Sequence, residues 1–150
     1  MSEPELRSRI VELAKEWVSA GVPYRHRGIS RIGCDCTGFL IGILREMGYL
    51  LDYALPYYPF DWCIHRGIAR IETEAQRYCE KLPAKERCQA GDLLLFHFGR
   101  CNSHAGILIK NGVFAHSYNK AGKCVFSVLR NSMWEKRWME SYRLINERLR

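Results

Sequence analysis

The chain changes its hydrophobic period once, at Gly91, and that change limits the folds open to it. Before Gly91 the apolar residues recur at helical spacing; after it they come in short runs broken by Gly, Asn and Ser. Leu6, Ile10, Leu13, Ala14 and Trp17 line one face of a helix over residues 4–20, with Pro4 in its first turn and Gly21 at its end. Phe39, Leu40, Ile43, Leu44 and Met47 do the same over 36–47, where Gly48 is the stop signal. Residues 52–64, DYALPYYPFDWCI, are aromatic and proline-rich and read as a loop, and 66–81 is predicted to be a third helix. DLLLFHF, HAGILIK, VFAHS, CVFSVL and SYRLI then read as strands of an antiparallel sheet. Helices followed by a sheet, without repeat or linker, give an α+β class and one domain over residues 1–150.

Composition excludes several function classes. With 150 residues, 47% apolar and 26% charged, the chain can bury a core of its own. It has no apolar run of about 18 residues, so no membrane span is expected. The N-terminus, MSEPELRSRIVELAKEW, lacks an apolar signal core, so synthesis in the cytoplasm without a signal peptide is expected. A net charge of +7 permits an anionic partner, but the Lys and Arg residues are scattered and form no recognition helix. A solvated basic surface is expected rather than a nucleic-acid site. Seven cysteines is an odd number, and in a reducing compartment no disulfide framework is expected. Cys34 and Cys36 are too close in sequence to bridge without strain. For zinc, His97, Cys101 and His104 have ligand-like spacing, but there is no CxxC pair to complete a set.

The stretch GCDCTGF, residues 33–39, runs straight into the second helix. Cys36 falls at or near the helix start, where unpaired N–H groups and the positive dipole end favour a thiolate. Cys34 lies ahead of the helix and gains less of that field, so it is the bystander. A nucleophilic cysteine needs a base, and the base needs an orienting group. His104 begins the strand HAGILI and His116 lies on the next strand. Either histidine alone is more often structural; a helix-start cysteine followed by two strand histidines is a more specific pattern.

These residues resemble the NlpC family of cell-wall cysteine peptidases, which have a papain-like fold. GCDCTGF is similar to that family's Asp-Cys-Ser-Gly motif and GVPYRHRG to its Pro-Tyr-Arg-Tyr-Gly-Gly stretch. QAGDLLLF is similar to its Pro-Gly-Asp-Leu stretch, and SHAGILIKNGVFAHS to its His-Val-Gly-Ile strand, hairpin and second histidine. The resemblance implies Cys36 as nucleophile, His104 as general base and later acid, and His116 as the residue orienting His104. It implies that Tyr24 borders the site and supports the oxyanion region, and that Asp35 meets the free amine of the substrate. Thr37 keeps the hydroxyl of the usual Ser. No metal or cofactor is implied. The implied substrate is an amide in the peptide stem of peptidoglycan, commonly between D-glutamate and the next diamino acid. His26-Arg27 and the long segment 52–89 depart from secreted bacterial members. With GCDC, the segment 52–89 looks more like versions encoded in phage and gene-transfer-agent tail modules. That likeness implies action on the wall after delivery by a phage particle, with phage tail proteins as partners. Two other readings keep the fold: acyl transfer, with aromatics of residues 57–62 excluding water, and a non-catalytic tail-assembly component.

Strand parity sets a geometric condition. His104 and His116 can touch only if they share a face of the sheet, because successive side chains alternate. A plain two-residue turn at Asn111-Gly112 would pair Lys110 with Val113 and Ile107 with His116, sending the two histidines to opposite faces. The pairing therefore requires an odd-length loop or one bulge between them, with Gly112 at positive φ.

Overall fold

The computed structural model describes residues 1–54, 57, 70–98 and 101–149. Helix α1 spans Glu3–Ser19; the Ser2 hydroxyl accepts the Glu5 N–H, and Leu6, Ile10, Leu13, Ala14 and Trp17 are buried. A two-stranded ribbon, β1 (Ile29–Ser30) with β2 (Gly33–Cys34), leads into helix α2 (Cys36–Glu46). Helix α3 (Arg70–Tyr78) runs into β3 (Cys79–Lys81). Five further strands follow: β4 (Leu93–Phe98), β5 (Cys101–Lys110), β6 (Val113–Tyr118), β7 (Lys123–Val128) and β8 (Trp138–Leu144). A short helix, α4 (Met133–Arg137), fills the connection between β7 and β8. The sheet is antiparallel with strand order β3-β8-β4-β5-β6-β7.

The α+β order expected from the change of period is therefore observed, apart from the short helix α4 among the strands and two further differences. Residues 79–81, expected as the end of a helix, form β3 and pair with β8, because Cys79 and Leu144 share the buried face there. The ribbon β1–β2 is too short to leave a periodic signature. The first residues of the expected third helix, and most of the expected 52–64 loop, lie outside the described residues.

Alternate side chains of the sheet feed two separate cores. Leu93, Leu95, Ala105, Ile107, Ala115 and Cys124 face α1 and α2 and join Trp17, Phe39 and Ile43. Leu94, Phe96, Leu108 and Phe114 face the other way, where Trp134 of α4 and Trp138 cover them. Burying each such large apolar side chain stabilises the fold by roughly 1.5–3 kcal/mol.

The β5–β6 hairpin meets the parity condition by a bulge. Its turn is the two-residue Asn111-Gly112, with Lys110 opposite Val113 and Gly112 at φ 78°. The register then slips: Leu108 pairs with Phe114 and Ile107 with Ala115, leaving Ile109 as the extra residue. Ile109 stays buried on the helix side together with Ile107. One step further along this register His116 lies opposite Gly106, and His104 is its same-face diagonal neighbour. A second bulge lies between β4 and β5: Phe96 pairs with His104 but His97 with Asn102, so Ser103 is the extra residue.

Asp92, at the foot of β4, is fully buried. Its carboxylate accepts two bonds from the Arg143 guanidinium at 3.0 and 2.7 Å and one from the Gln89 N–H at 2.7 Å. A buried carboxylate stripped of its cation costs about 3–5 kcal/mol. Arg143 is partly open to solvent, so Arg143→Ala is expected to lower unfolding free energy by about 3 kcal/mol in urea titrations. The double variant Asp92→Asn/Arg143→Leu should recover part of that loss.

Candidate active site

The cysteine helix is anchored by its cap. Asp35 Oδ1 accepts the Gly38 N–H at 2.8 Å and the Thr37 hydroxyl at 3.2 Å, while Oδ2 accepts the Arg27 N–H at 2.9 Å. Cys36 is thus the first residue of α2, as the sequence predicts. Gly38 is required by close approach, since a Cβ there would lie 1.7 Å from the Gly28 carbonyl oxygen. The Cys36 thiol lies 3.9 Å from the Ser103 carbonyl oxygen. Ser103 is the bulged residue immediately before His104, so the kink in β5 falls where the cysteine helix meets the sheet. Bulges often re-aim a side chain in this way beside functional sites.

His104 Nε2 and His116 Nδ1 are 2.7 Å apart, and His116 Nε2 lies 2.8 Å from the Ser127 hydroxyl. His116 is fully buried and His104 is 9% exposed. Trp134 covers the pair, its ring centroid 5.2 Å from His104 and 4.8 Å from His116. Phe96 and Phe98 flank His104, and Tyr118 stacks on His116 at 5.2 Å. Burial in this aromatic box pushes His104 down to about 3. It pushes His116 down to about 2, with the neighbouring His104 adding repulsion. Both imidazoles are therefore neutral near pH 7, and their hydrogen bonds depend on which nitrogen carries the proton.

Tyr24 is held beside the cysteine by the chain's own backbone. It bridges Cys34, while the Cys34 N–H donates to the Pro23 carbonyl and the Arg25 N–H to the Cys34 carbonyl, each at 3.0 Å. Burial, then the neighbouring Cys36 and Asp35, hold its phenol well above the ordinary range, so it stays protonated. Thus Cys36, Tyr24, Asp35 and Thr37 cluster at the start of α2, and His104 pairs with His116 on the sheet. Asp35 and Thr37 are engaged with each other and with the helix cap. Among the described residues no three His, Cys, Asp or Glu side chains converge as metal ligands. The Cys101 side chain, part of the expected zinc-like spacing, lies outside that description.

Sequence reasoning missed Ser127 and Trp134. Ser127 lies two residues beyond Val125, the partner of His116 on β7, and so shares its face. That relation becomes visible only once β6 and β7 are in register. Trp134 sits on a helix too short to show periodicity.

An antiparallel sheet carrying two histidines, with a cysteine-led helix packed at its bulged strand, is the arrangement of papain-like proteins. The chain belongs to the NlpC/P60 family, whose sequence profile matches residues 21–143. It is similar to "Murein DD-endopeptidase MepS/Murein LD-carboxypeptidase" of Escherichia coli strain K12. That match is 29% identical over 142 residues, covering 95% of this chain and 65% of the relative. It is also similar to a "Probable endopeptidase" of Haemophilus influenzae, 31% identical over 89% of this chain and 71% of the relative. Among solved structures, an NLP/P60 family protein similar to lipoprotein from Staphylococcus aureus superposes with a TM-score of 0.66 at 22% identity. It covers 95% of this chain and 42% of that one. The peptidoglycan hydrolase RipB of Mycobacterium tuberculosis gives 0.60 at 18% identity, over 94% and 65%. At these identities the structural likeness shows the fold alone. This chain spans about two thirds of the length of its Escherichia coli relative.

The depressed histidines make stability pH-dependent. Below about pH 6.5 the unfolded chain protonates both imidazoles, whereas the fold keeps them neutral down to about 3 and about 2. Stability should therefore fall as pH drops through this window, by up to about 1.4 kcal/mol per pH unit for each histidine. Urea unfolding at a series of pH values checks this. The difference between wild type and His116→Gln isolates the histidine part from the carboxylates, and the variant should show the shallower slope.

Proposed function

We propose that this protein is a cysteine peptidase that hydrolyses an amide bond in the peptide stem of peptidoglycan. The observation that carries the reading is the buried His104–His116 hydrogen bond at 2.7 Å, within a family whose curated relatives are named as murein endopeptidases. In this mechanism the His104 Nε2–H donates to His116 Nδ1, and the His116 Nε2–H donates to the Ser127 oxygen. That tautomer leaves the His104 Nδ1 lone pair to take the Cys36 thiol proton as sulfur attacks the carbonyl carbon. The first-turn N–H groups of α2 and the protonated Tyr24 are the donors proposed for the developing oxyanion. His104 then returns the proton to the leaving amine, and water hydrolyses the thioester by the same base. Both imidazoles are neutral before attack, as a base must be; because burial makes His104 a weak base, its protonation in this mechanism is tied to the negative charge that develops on sulfur and the oxyanion.

Asp35 and Thr37 enter the proposal beside the nucleophile, with Asp35 as the group for the free amine of the stem peptide; its carboxylate is buried and caps α2, so that role has to share the cap's oxygens. Action at the cell wall, delivery by a phage particle and tail proteins as partners belong to the same reading. A second reading, acyl transfer to an acceptor other than water, is favoured by one feature. An apolar cavity beside Cys36 is bounded by Leu40, Leu44, Tyr53, Ala75 and Ala105. Of the aromatics at 57–62 expected to exclude water, Tyr57 is exposed beneath the Arg27 guanidinium, and the others lie outside the described residues.

Mass spectrometry of purified muropeptides tests the proposal. Wild-type protein should yield fragments heavier by one water in total, and Cys36→Ala and His104→Ala should yield none. Cys34→Ser should keep most turnover. Ser127→Ala should lower kcat about tenfold with KM little changed, the loss of one hydrogen bond of about 1.4 kcal/mol. Products carrying an acceptor in place of water would indicate acyl transfer. Intact muropeptides after wild-type treatment would overturn the peptidase reading.

A further inference from the structure

Two of the buried thiols that the catalytic proposal leaves unused face each other. Cys34 on β2 and Cys124 on β7, 90 residues apart in sequence, bring their sulfurs to 3.6 Å. They are 0% and 1% exposed. Both backbones are clamped. The Cys34 N–H donates to the Pro23 carbonyl at 3.0 Å, and its carbonyl accepts the Ser117 hydroxyl at 2.6 Å. The Cys124 N–H donates to the Val22 carbonyl at 2.9 Å, and Cys124 pairs with Ser117 across the β6–β7 ladder. The two side chains are thus held facing each other. A disulfide is about 2.05 Å long, so closure asks for a shift of about 1.5 Å between the sulfurs. Cys36, two residues from Cys34, faces the Ser103 carbonyl instead.

We propose that Cys34 and Cys124 are a dithiol site that closes to a disulfide when the chain meets a low-molecular-weight disulfide, tying the strand before the nucleophile to β7. The Cys124 thiolate attacks one sulfur of the small disulfide and releases its first thiol. The Cys34 thiolate then attacks the Cys124 sulfur of the mixed disulfide and releases the second. Two electrons and two protons pass to the oxidant, which leaves as two thiols. The order follows from the contact. The S–H···S contact between them, at 3.6 Å, holds the Cys124 thiol below its ordinary value and pushes Cys34 up, which makes Cys124 the attacking thiol. The inference rests on this geometry and not on the peptidase reading.

The test uses full-length protein carrying Cys36→Ala, so that the proposed nucleophile cannot capture the oxidant. One sample is treated folded with oxidised glutathione. A second is reduced, unfolded in urea and refolded in a glutathione redox buffer, which removes burial as a barrier. Trypsin cuts after Arg31 and Arg45, and after Lys123 and Arg130, so the two cysteines fall on separate peptides. The refolded sample should yield these two peptides joined and lighter by two hydrogens. Its Tm should lie roughly 5–10 °C above that in excess reductant. Cys34→Ser and Cys124→Ser should each abolish both results. Cys34 and Cys124 still alkylatable after refolding, either one joined to a different cysteine, or an unchanged Tm would overturn the proposal. Muropeptide cleavage by the wild type is read separately and stands or falls without it.

Discussion

The hydrogen bond between His104 and His116 exists because β5 and β6 are out of step by one residue. Without the extra Ile109, the plain Asn111-Gly112 turn would hold the two imidazoles on opposite faces of the sheet. The slip places both rings on the face away from α1 and α2, in the smaller of the two cores. Everything that sets their chemistry follows from that face: Trp134 above them, Phe96 and Phe114 around them, and Ser127 within reach of the far nitrogen. A second irregularity, at Ser103, lets a helix packed on the opposite face bring its first residue to the same strand. The candidate site thus draws on both sides of one sheet, with one bulge beside the histidine pair and the other beside Cys36.

Burial of the histidine pair has a cost and a use. Two imidazoles kept from water resist protonation, and the protein gives up stability in acid as a result. The same environment leaves only neutral tautomers to choose among, and in the tautomer the proposed mechanism requires the His116 Nε2–H donates to the Ser127 oxygen. The far nitrogen of His116 meets a hydroxyl rather than a carboxylate, so that contact places no charge in the apolar box.

Much of this was legible in the sequence, and the limits are physical. The change of period at Gly91 separates the long helices from the long strands because amphipathic faces of period 3.6 and 2 differ over a few residues. The register condition on His104 and His116 follows from parity alone, and it calls for a bulge or an odd loop. It could not say where, because Ile109 is apolar like its neighbours and carries no bulge signal. Strand β3 reads as a helix end in the sequence because three residues are too few to show a period. Ser127 and Trp134 act across strand and helix contacts that no local pattern encodes. Asp35 read as a group for the substrate, yet its carboxylate also caps α2, a role that depends on Gly28 and Arg27 folding back against it.

The cover over the histidines is a five-residue helix at the surface, not part of the sheet. Its entry is fixed by Ser132, whose hydroxyl accepts the Trp134 N–H and donates to the Val128 and Leu129 carbonyls at the end of β7. Asn131, one residue earlier, adopts a left-handed backbone at φ 56° to make that turn. The local dielectric around His104 and His116 is thus governed from an exposed corner of the chain. A change in this corner would let water in above the imidazoles and raise their basicity without touching either ring. The proton affinity of the site is in this sense a property of a surface turn.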